Sequence, residues 1–157
     1  KNRQDFSSVE FKLEIDPLLV IVSDRKLLIS ILQNFIDNSV KYRDTSKPHC
    51  ISWIKIVLHA DNTIDIEVRD NGIGIKDELK NKVFDMFFRG TSQAGGSGLG
   101  LYIVKQAAEK LKGTIDMKSE FRVGTTFMAF IPNRSEAEIV PNEPTILDTP
   151  EGFLHKD

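Results

Sequence analysis

The sequence predicts an α+β fold: a two-layer α/β sandwich in which a mixed, mostly antiparallel sheet carries about three helices on one face. Three observations lead there. Segments of strict apolar–polar alternation recur along the 157 residues, and that period marks half-buried strands. Other stretches space their apolar residues by three and four, as a helix packed on a core does. Read in order, the elements run β-β-α-β-β-α-α-β-β, with few simple βαβ units, which disfavours a doubly wound parallel sheet.

Each element has its own signal. In "SVEFKLEI" (8–15), Val9, Phe11, Leu13 and Ile15 face one way and Glu10, Lys12 and Glu14 the other. "LLVIV" (18–22), entered through Pro17, reads as a second strand. Ser23 or Asp24 can cap a helix that runs to about Tyr42, with Leu28, Ile31, Leu32, Phe35 and Ile36 as its apolar stripe. "RDTSKPH" is a loop. "ISWIKIVLHA" and "TIDIEVRD" form a hairpin across Asp61 and Asn62. "KDELKNKVF" reads as a short helix and "RGTSQAGGSG" as a glycine-rich loop. A helix from about Leu99 to Lys112 ends at Gly113, and "TIDMKSE" with "GTTFMAFIP" makes a final hairpin. Four of the six prolines lie at 132, 141, 144 and 150 among several acids, so 133–157 is expected to be a tail without a core of its own, either docked on a domain or serving as a linker.

The composition excludes several classes. Apolar residues make up 40%, charged residues 28%, and the formal net charge is -2, so nothing pulls the chain toward nucleic acid or an acidic membrane. No apolar run approaches the ~18 residues of a membrane span. The polar start, "KNRQDFSSVEFK", does not read as a signal peptide. It lacks Met and enters a strand at once, which predicts a fragment of a larger protein. The single cysteine, Cys50, is expected to be a buried, inert thiol beside Ile51 and Trp53.

Four segments carry chemistry. At about 100° per residue, Asn34, Asn38 and Lys41 share one stripe of the first long helix. An amide oxygen suits Mg²⁺ and a lysine meets phosphate as a point charge, although a solvated helix edge would look the same. "DNGIGI" (70–75) ends a strand with an Asp and two glycines. This is good turn chemistry and also a place where a ligand can approach closely. "GGSGLGLYIVKQ" runs glycines into a helix start, whose free N–H groups and dipole favour phosphate. It is not a P-loop, which needs Lys-Ser/Thr after its glycines. In "VFDMFFRG", Phe84, Phe87 and Phe88 can anchor a loop, with Arg89 in reach of a phosphate.

Together and in this order, the segments resemble the ATP-binding catalytic domain of two-component sensor histidine kinases, within the gyrase–chaperone–kinase–mismatch-repair ATPase superfamily. "NFIDNSVKY" matches its asparagine box, "DNGIGI" and "GSGLGL" its two glycine boxes, "FDMFFRG" its phenylalanine box and "GTTF" a weaker last box. The likeness covers roughly Phe6 to Pro132, making 1–132 the catalytic domain, with a Bergerat-type fold. It implies that Asn38 holds Mg²⁺, that Asn34, Lys41 and Arg89 act along the phosphate path, and that Tyr42 helps hold the nucleotide. It further implies that Asp70 reads the adenine amino group, with Gly72 and Gly74 giving the base room, and that Ile75 and Phe88 contact the nucleotide. Gly96, Gly98 and Gly100 would form the phosphate cradle with Leu99 and Leu101. Thr126 would back Asp70, and residues 76–97 would form the ATP lid.

The hydrolases of the superfamily carry a glutamate four residues before the metal asparagine. Here that position is Asn34, whose amide cannot act as a general base. The resemblance therefore implies transfer of the γ-phosphate to a histidine on a separate dimerisation domain of the same parent, a response regulator downstream, a homodimeric parent and a cytoplasmic site of action, whether or not the parent is membrane-anchored. None of His49, His59 and His155 lies on an amphipathic helix beside an acid, so the domain alone is not expected to autophosphorylate. The alternatives are a hydrolysing ATPase of the same fold and a regulatory module that binds nucleotide without catalysis.

Overall fold

The computed structural model describes residues 6–88 and 97–134. A 3-10 turn, Phe6–Ser8, leads into β1 (Glu10–Ile15), α1 (Arg25–Lys41), β2 (Ile51–Leu58) and β3 (Thr63–Asp70). After these come a one-turn α2 (Asp77–Lys80), α3 (Gly100–Lys110), β4 (Thr114–Glu120) and β5 (Gly124–Pro132). The five strands form one sheet in the order β1-β2-β3-β5-β4. Only β1–β2 is parallel; the other three pairings are antiparallel. The mixed sheet with helices packed on it is the sandwich expected from the sequence.

Alternation explains the core. Ile64, Ile66 and Val68 of β3 and Phe127, Ala129 and Ile131 of β5 point to the helix layer and are buried. They meet Ile31 and Phe35 of α1 and Val104, Ala107 and Ala108 of α3. Two adjacent alanines let α3 approach the sheet closely. Phe35 stacks on Phe127 with centroids 5.3 Å apart, and Phe84 meets Phe127 edge-on at 6.4 Å. Helix α1 starts at Asp24, whose Oδ1 accepts from Lys26 N at 2.9 Å and Leu27 N at 3.1 Å. Such a cap satisfies donors that the helix cannot.

Three expectations change here. Leu18–Val22 is not a strand: Asp16 turns the chain by accepting from Leu18 N and Leu19 N. Leu18 and Val20 are 85% and 70% exposed, and Ile21 alone of the run reaches the core. Val22 is tied instead to the far end of the chain, its N–H donating to Asn133 Oδ1 and its carbonyl accepting from Arg134 N. In β1 the alternation is real but half used. Phe11 packs against the core, and Val9 just before the strand is buried, whereas Leu13 at the sheet edge is 69% exposed. The helix expected over "KDELKNKVF" stops after Lys80 and continues as successive turns, each N–H bonded three residues back. Cys50 is half-buried and donates to the Asp44 carbonyl. Among the described residues no helix is long and apolar enough to cross a membrane, and the tail beyond Arg134 lies outside them.

Removing the Asp24 cap should cost ~1 kcal/mol, lowering Tm by ~3 °C for a domain of this size. Phe35→Ala, which empties the aromatic stack, should cost ~3–5 kcal/mol. Thermal unfolding of the two variants checks both the values and their order.

Candidate functional site

Asp70 is the last residue of β3, opposite Thr125 on β5. Its side chain points to the helix layer and is 8% exposed. Oδ1 accepts from Gly72 N at 2.8 Å and Thr125 N at 3.2 Å. Among the described residues no donor reaches Oδ2, on a residue that lines a cavity of about 660 Å³. Burial pushes the carboxyl up to about 6, against the opposing pull of the two backbone donors and of Lys47.

The loop after Asp70 is stitched down on both sides. Asn71 extends the β2 ladder with its side chain: Oδ1 accepts from Ile51 N and Nδ2 donates to the His49 carbonyl, both at 2.8 Å. Ile73 N donates to the Tyr42 carbonyl at 3.0 Å, and Arg122 N donates to the Ile73 carbonyl at 2.7 Å. The glycines serve this packing. A Cβ at Gly72 would run into the Tyr42 carbonyl, and one at Gly74, held at φ +65°, into that of Glu120. The protein's own backbone fills the Cβ side of both glycines, while Gly74 also lines the cavity. Ile75 N donates to Ser119 Oγ at 2.8 Å, and that hydroxyl lies 2.9 Å from Thr125 Oγ1.

Helix α1 supplies the second wall. Asn34, Asn38 and Lys41 all line the cavity, with Tyr42 at the helix end. Asn34 Nδ2 donates to the Ser30 carbonyl at 2.8 Å. Its Oδ1 lies against Gly100, where an added Cβ would come within 2.8 Å. Lys41 Nζ sits 4.9 Å from the centre of the Tyr42 ring. Asp37, which sequence reasoning passed over, also lines the cavity, and partial burial raises its carboxyl above the usual range.

The third wall is the start of α3. Gly98, Leu99, Gly100 and Leu101 line the cavity, and Leu99 caps the helix without a side-chain hydrogen bond. The first N–H groups therefore keep their capacity for an anion. Phe88 and Ile75 add apolar surface. Arg89 and Gly96 lie outside the described residues.

Thr126 is the expectation that the structure overturns. It pairs with Arg69 and Lys118 and lies on the opposite face of the sheet, near Trp53. Thr125 takes its place beside Asp70. The signal was present: Phe127, Ala129 and Ile131 face the core, so period-2 alternation puts 125, not 126, on that face. Lys47, by contrast, sits in a loop of no recognisable pattern.

For Mg²⁺ the donor set fits an ion carried by its ligand. Asn38 lines the cavity, and its Nδ2 is buried without a hydrogen-bond partner; an amide oxygen of this residue is the kind of ligand that suits a hard cation. Among the described residues there is no cluster of three His, Cys, Asp or Glu that could hold a metal alone. Phosphate oxygens would have to supply the rest, as is usual for Mg²⁺.

Residues 23–135 match the family described as histidine kinase-, DNA gyrase B-, and HSP90-like ATPase. The sensor histidine kinase AtsR of Burkholderia thailandensis is 37% identical over 120 residues, 74% of this chain and 20% of that protein. The sensor protein CiaH of Streptococcus pneumoniae is 40% identical over 111 residues, 68% of this chain and 24% of that protein. The chain thus spans between a fifth and a quarter of the length of these two relatives. The mycobacterial sensor histidine kinase MprB superposes with a TM-score of 0.70 at 28% identity, covering 82% of this chain and 86% of that one. Full-length ShkA, in complex with AMPPNP, superposes with a TM-score of 0.67 at 26% identity, covering 79% of this chain and 25% of that one.

The electrostatics of Asp70 predict a stability effect. Its carboxyl sits above the ordinary 3.8, so the native state binds this proton more tightly than the unfolded chain does. The cost of the buried charge is fully present above about pH 6 and is relieved as pH falls toward 4. Asp70→Asn keeps an oxygen for Gly72 and Thr125 and removes the charge. The nucleotide-free variant should be more stable than the parent at neutral pH, by on the order of 2 kcal/mol. Urea unfolding of the variant and its parent tests this, and a less stable variant would contradict it.

Proposed function

The chain belongs to the histidine kinase-, DNA gyrase B-, and HSP90-like ATPase family, and from that membership we propose that its cavity binds Mg-ATP and delivers the γ-phosphate to a histidine on a separate phosphoacceptor domain of a two-component sensor kinase. In this reading Asp70 Oδ2 accepts a hydrogen bond from the adenine amino group, and Ile75 and Phe88 flank the base. The N–H groups at the start of α3 and the Lys41 ammonium receive the phosphates. Mg²⁺, when bound, offsets phosphate charge, and Asn38 supplies the protein's oxygen to it. Residues 76–97 act as the lid in this reading, supported by Lys76, Phe88 and Ser97 in the cavity lining; 89–96 lie outside the described residues. The catalytic domain in this reading spans 1–132.

The observation that carries the kinase assignment is Asn34. It faces the cavity beside the start of α3, where a phosphate would lie, and it offers an amide rather than a carboxylate. Position 34 gives water no general base, and in this reading catalysis rests on positioning and charge neutralisation, the usual division in phosphoryl transfer. The described histidines do not replace the missing nucleophile. Neither His49 nor His59 lines the cavity, and His59 faces Asp65 at 3.7 Å on the β2–β3 hairpin. The acceptor histidine, the homodimer that presents it and the response regulator belong to the parent protein in this reading.

Calorimetric titration should show Mg-ATP binding that weakens ~10–100-fold in Asp70→Asn, the loss expected for one hydrogen bond to a charged acceptor. Steady-state phosphate release by the isolated domain should be negligible. Adding the parent's histidine-bearing domain should produce an acid-labile phosphohistidine. Sustained hydrolysis without that partner would reverse the kinase assignment.

A further inference from the structure

Lys47 lies in the loop between α1 and β2, outside the lining of the cavity. Its ammonium donates to three backbone carbonyls, those of Asn71 at 2.6 Å, Val123 at 3.0 Å and Gly72 at 3.4 Å. Among the described residues it forms no ion pair. The Asn71–Gly72 peptide is held at both ends. Its carbonyl accepts from Lys47, and its N–H, on Gly72, donates to Asp70 Oδ1. A cation on the carbonyl polarises the amide and strengthens its N–H as a donor. Val123 belongs to the turn that delivers Thr125 N, the second donor to the same oxygen. One ammonium thus fastens both pieces of backbone that grip the carboxylate.

We propose that Lys47 is a positioning residue of the nucleotide site: it fixes the two backbone donors of Asp70 and, through the Asn71–Gly72 peptide, favours the charged carboxylate that receives the adenine amine. The role in adenine recognition rests on the Mg-ATP reading; the coupling between Lys47 and Asp70 does not. The direct charge of Lys47 works in the same direction, pulling Asp70 down against the larger effect of burial. Other charged groups stand around Asp70. Asp37 and Lys41 project from α1 into the cavity, and Lys76 and Glu78 lie across it. Glu120 and Arg122 flank the β4–β5 turn. Of all these, Lys47 is the one whose charge registers on Asp70.

Lys47→Met would strand three carbonyls and risk unfolding, so Lys47→Gln, which keeps an amide donor and drops the charge, carries the test, with Lys47→Arg as the conservative variant. The Asp70 carboxyl is titrated by ¹³C NMR in the nucleotide-free domain, and Mg-ATP affinity is measured over the same pH range. In Lys47→Gln the carboxyl should titrate at higher pH than in the parent. Its affinity should fall ~3-fold or more beyond the parent's loss between about pH 8.5 and about pH 6.5. Lys47→Arg should restore both. An unchanged Asp70 titration in folded Lys47→Gln, or an affinity lowered by the same factor at every pH, would reduce Lys47 to a brace and overturn the proposal. A parent that binds no Mg-ATP while its Asp70 titration follows residue 47 would uphold the coupling and reject the nucleotide reading.

Discussion

A carboxylate at the end of a central strand, taken almost wholly out of water, sets the terms for everything around it. An ionised side chain in such a place is unfavourable unless donors meet it, and the backbone supplies them from two directions. Gly72 N comes from the loop that follows Asp70, and Thr125 N from the neighbouring strand. For both to reach one oxygen, the loop must lie tightly between the end of α1 and the β4–β5 turn. The intolerance of a Cβ at Gly72 and Gly74, the side-chain ladder of Asn71 and the carbonyl clamp of Lys47 all serve that placement. Spending both backbone donors on Oδ1 leaves Oδ2 for a ligand.

The same constraint explains the composition of α1. Its buried side is strongly apolar, and the Phe35–Phe127 stack ties it to the strand that carries Thr125. Its cavity side carries Asn34, Asn38 and Lys41, two of them poor helix formers. A helix made only for stability would not leave Asn38 Nδ2 buried without a partner. Packing from the core side offsets that cost, and the amides and the ammonium are thereby held facing the cavity. Asp70, with its unfavourable burial, and α1, with its weakened face, each give up stability locally, as functional sites commonly do.

Much of this was legible in the sequence because it depends on period and order. The 3.6-residue spacing of Ile31, Phe35 and their neighbours marked α1, and alternation marked both hairpins. The ordered motifs pointed to the cavity walls that the structure brings together. What escaped depends on long-range geometry. "LLVIV" has the composition of a strand, yet the turn at Asp16 and the tie from Val22 to Asn133 and Arg134 hold it off the sheet. Thr125 and Thr126 are chemically identical neighbours, and only the strand's phase separates them. Lys47 has no local signature at all, because its partners lie 24 and 76 residues away.

That distant lysine bears on how the site works at neutral pH. Burial pushes the Asp70 carboxyl up to about 6, so a further rise would cost it charge at neutral pH. In the Mg-ATP reading, Asp70 accepts the hydrogen bond of the adenine amine most strongly as the anion. Burial works against the Asp70 charge, and each donor that favours the anion therefore matters more than it would on an exposed residue. The Asn71–Gly72 peptide is a path by which a cation outside the cavity can act on Asp70 without entering the cavity. An ammonium inside the cavity would also stabilise the anion, but it would compete with a ligand's donor for the same oxygen. Placing the charge one peptide away separates the two tasks, leaving the cavity face of Asp70 free for a ligand.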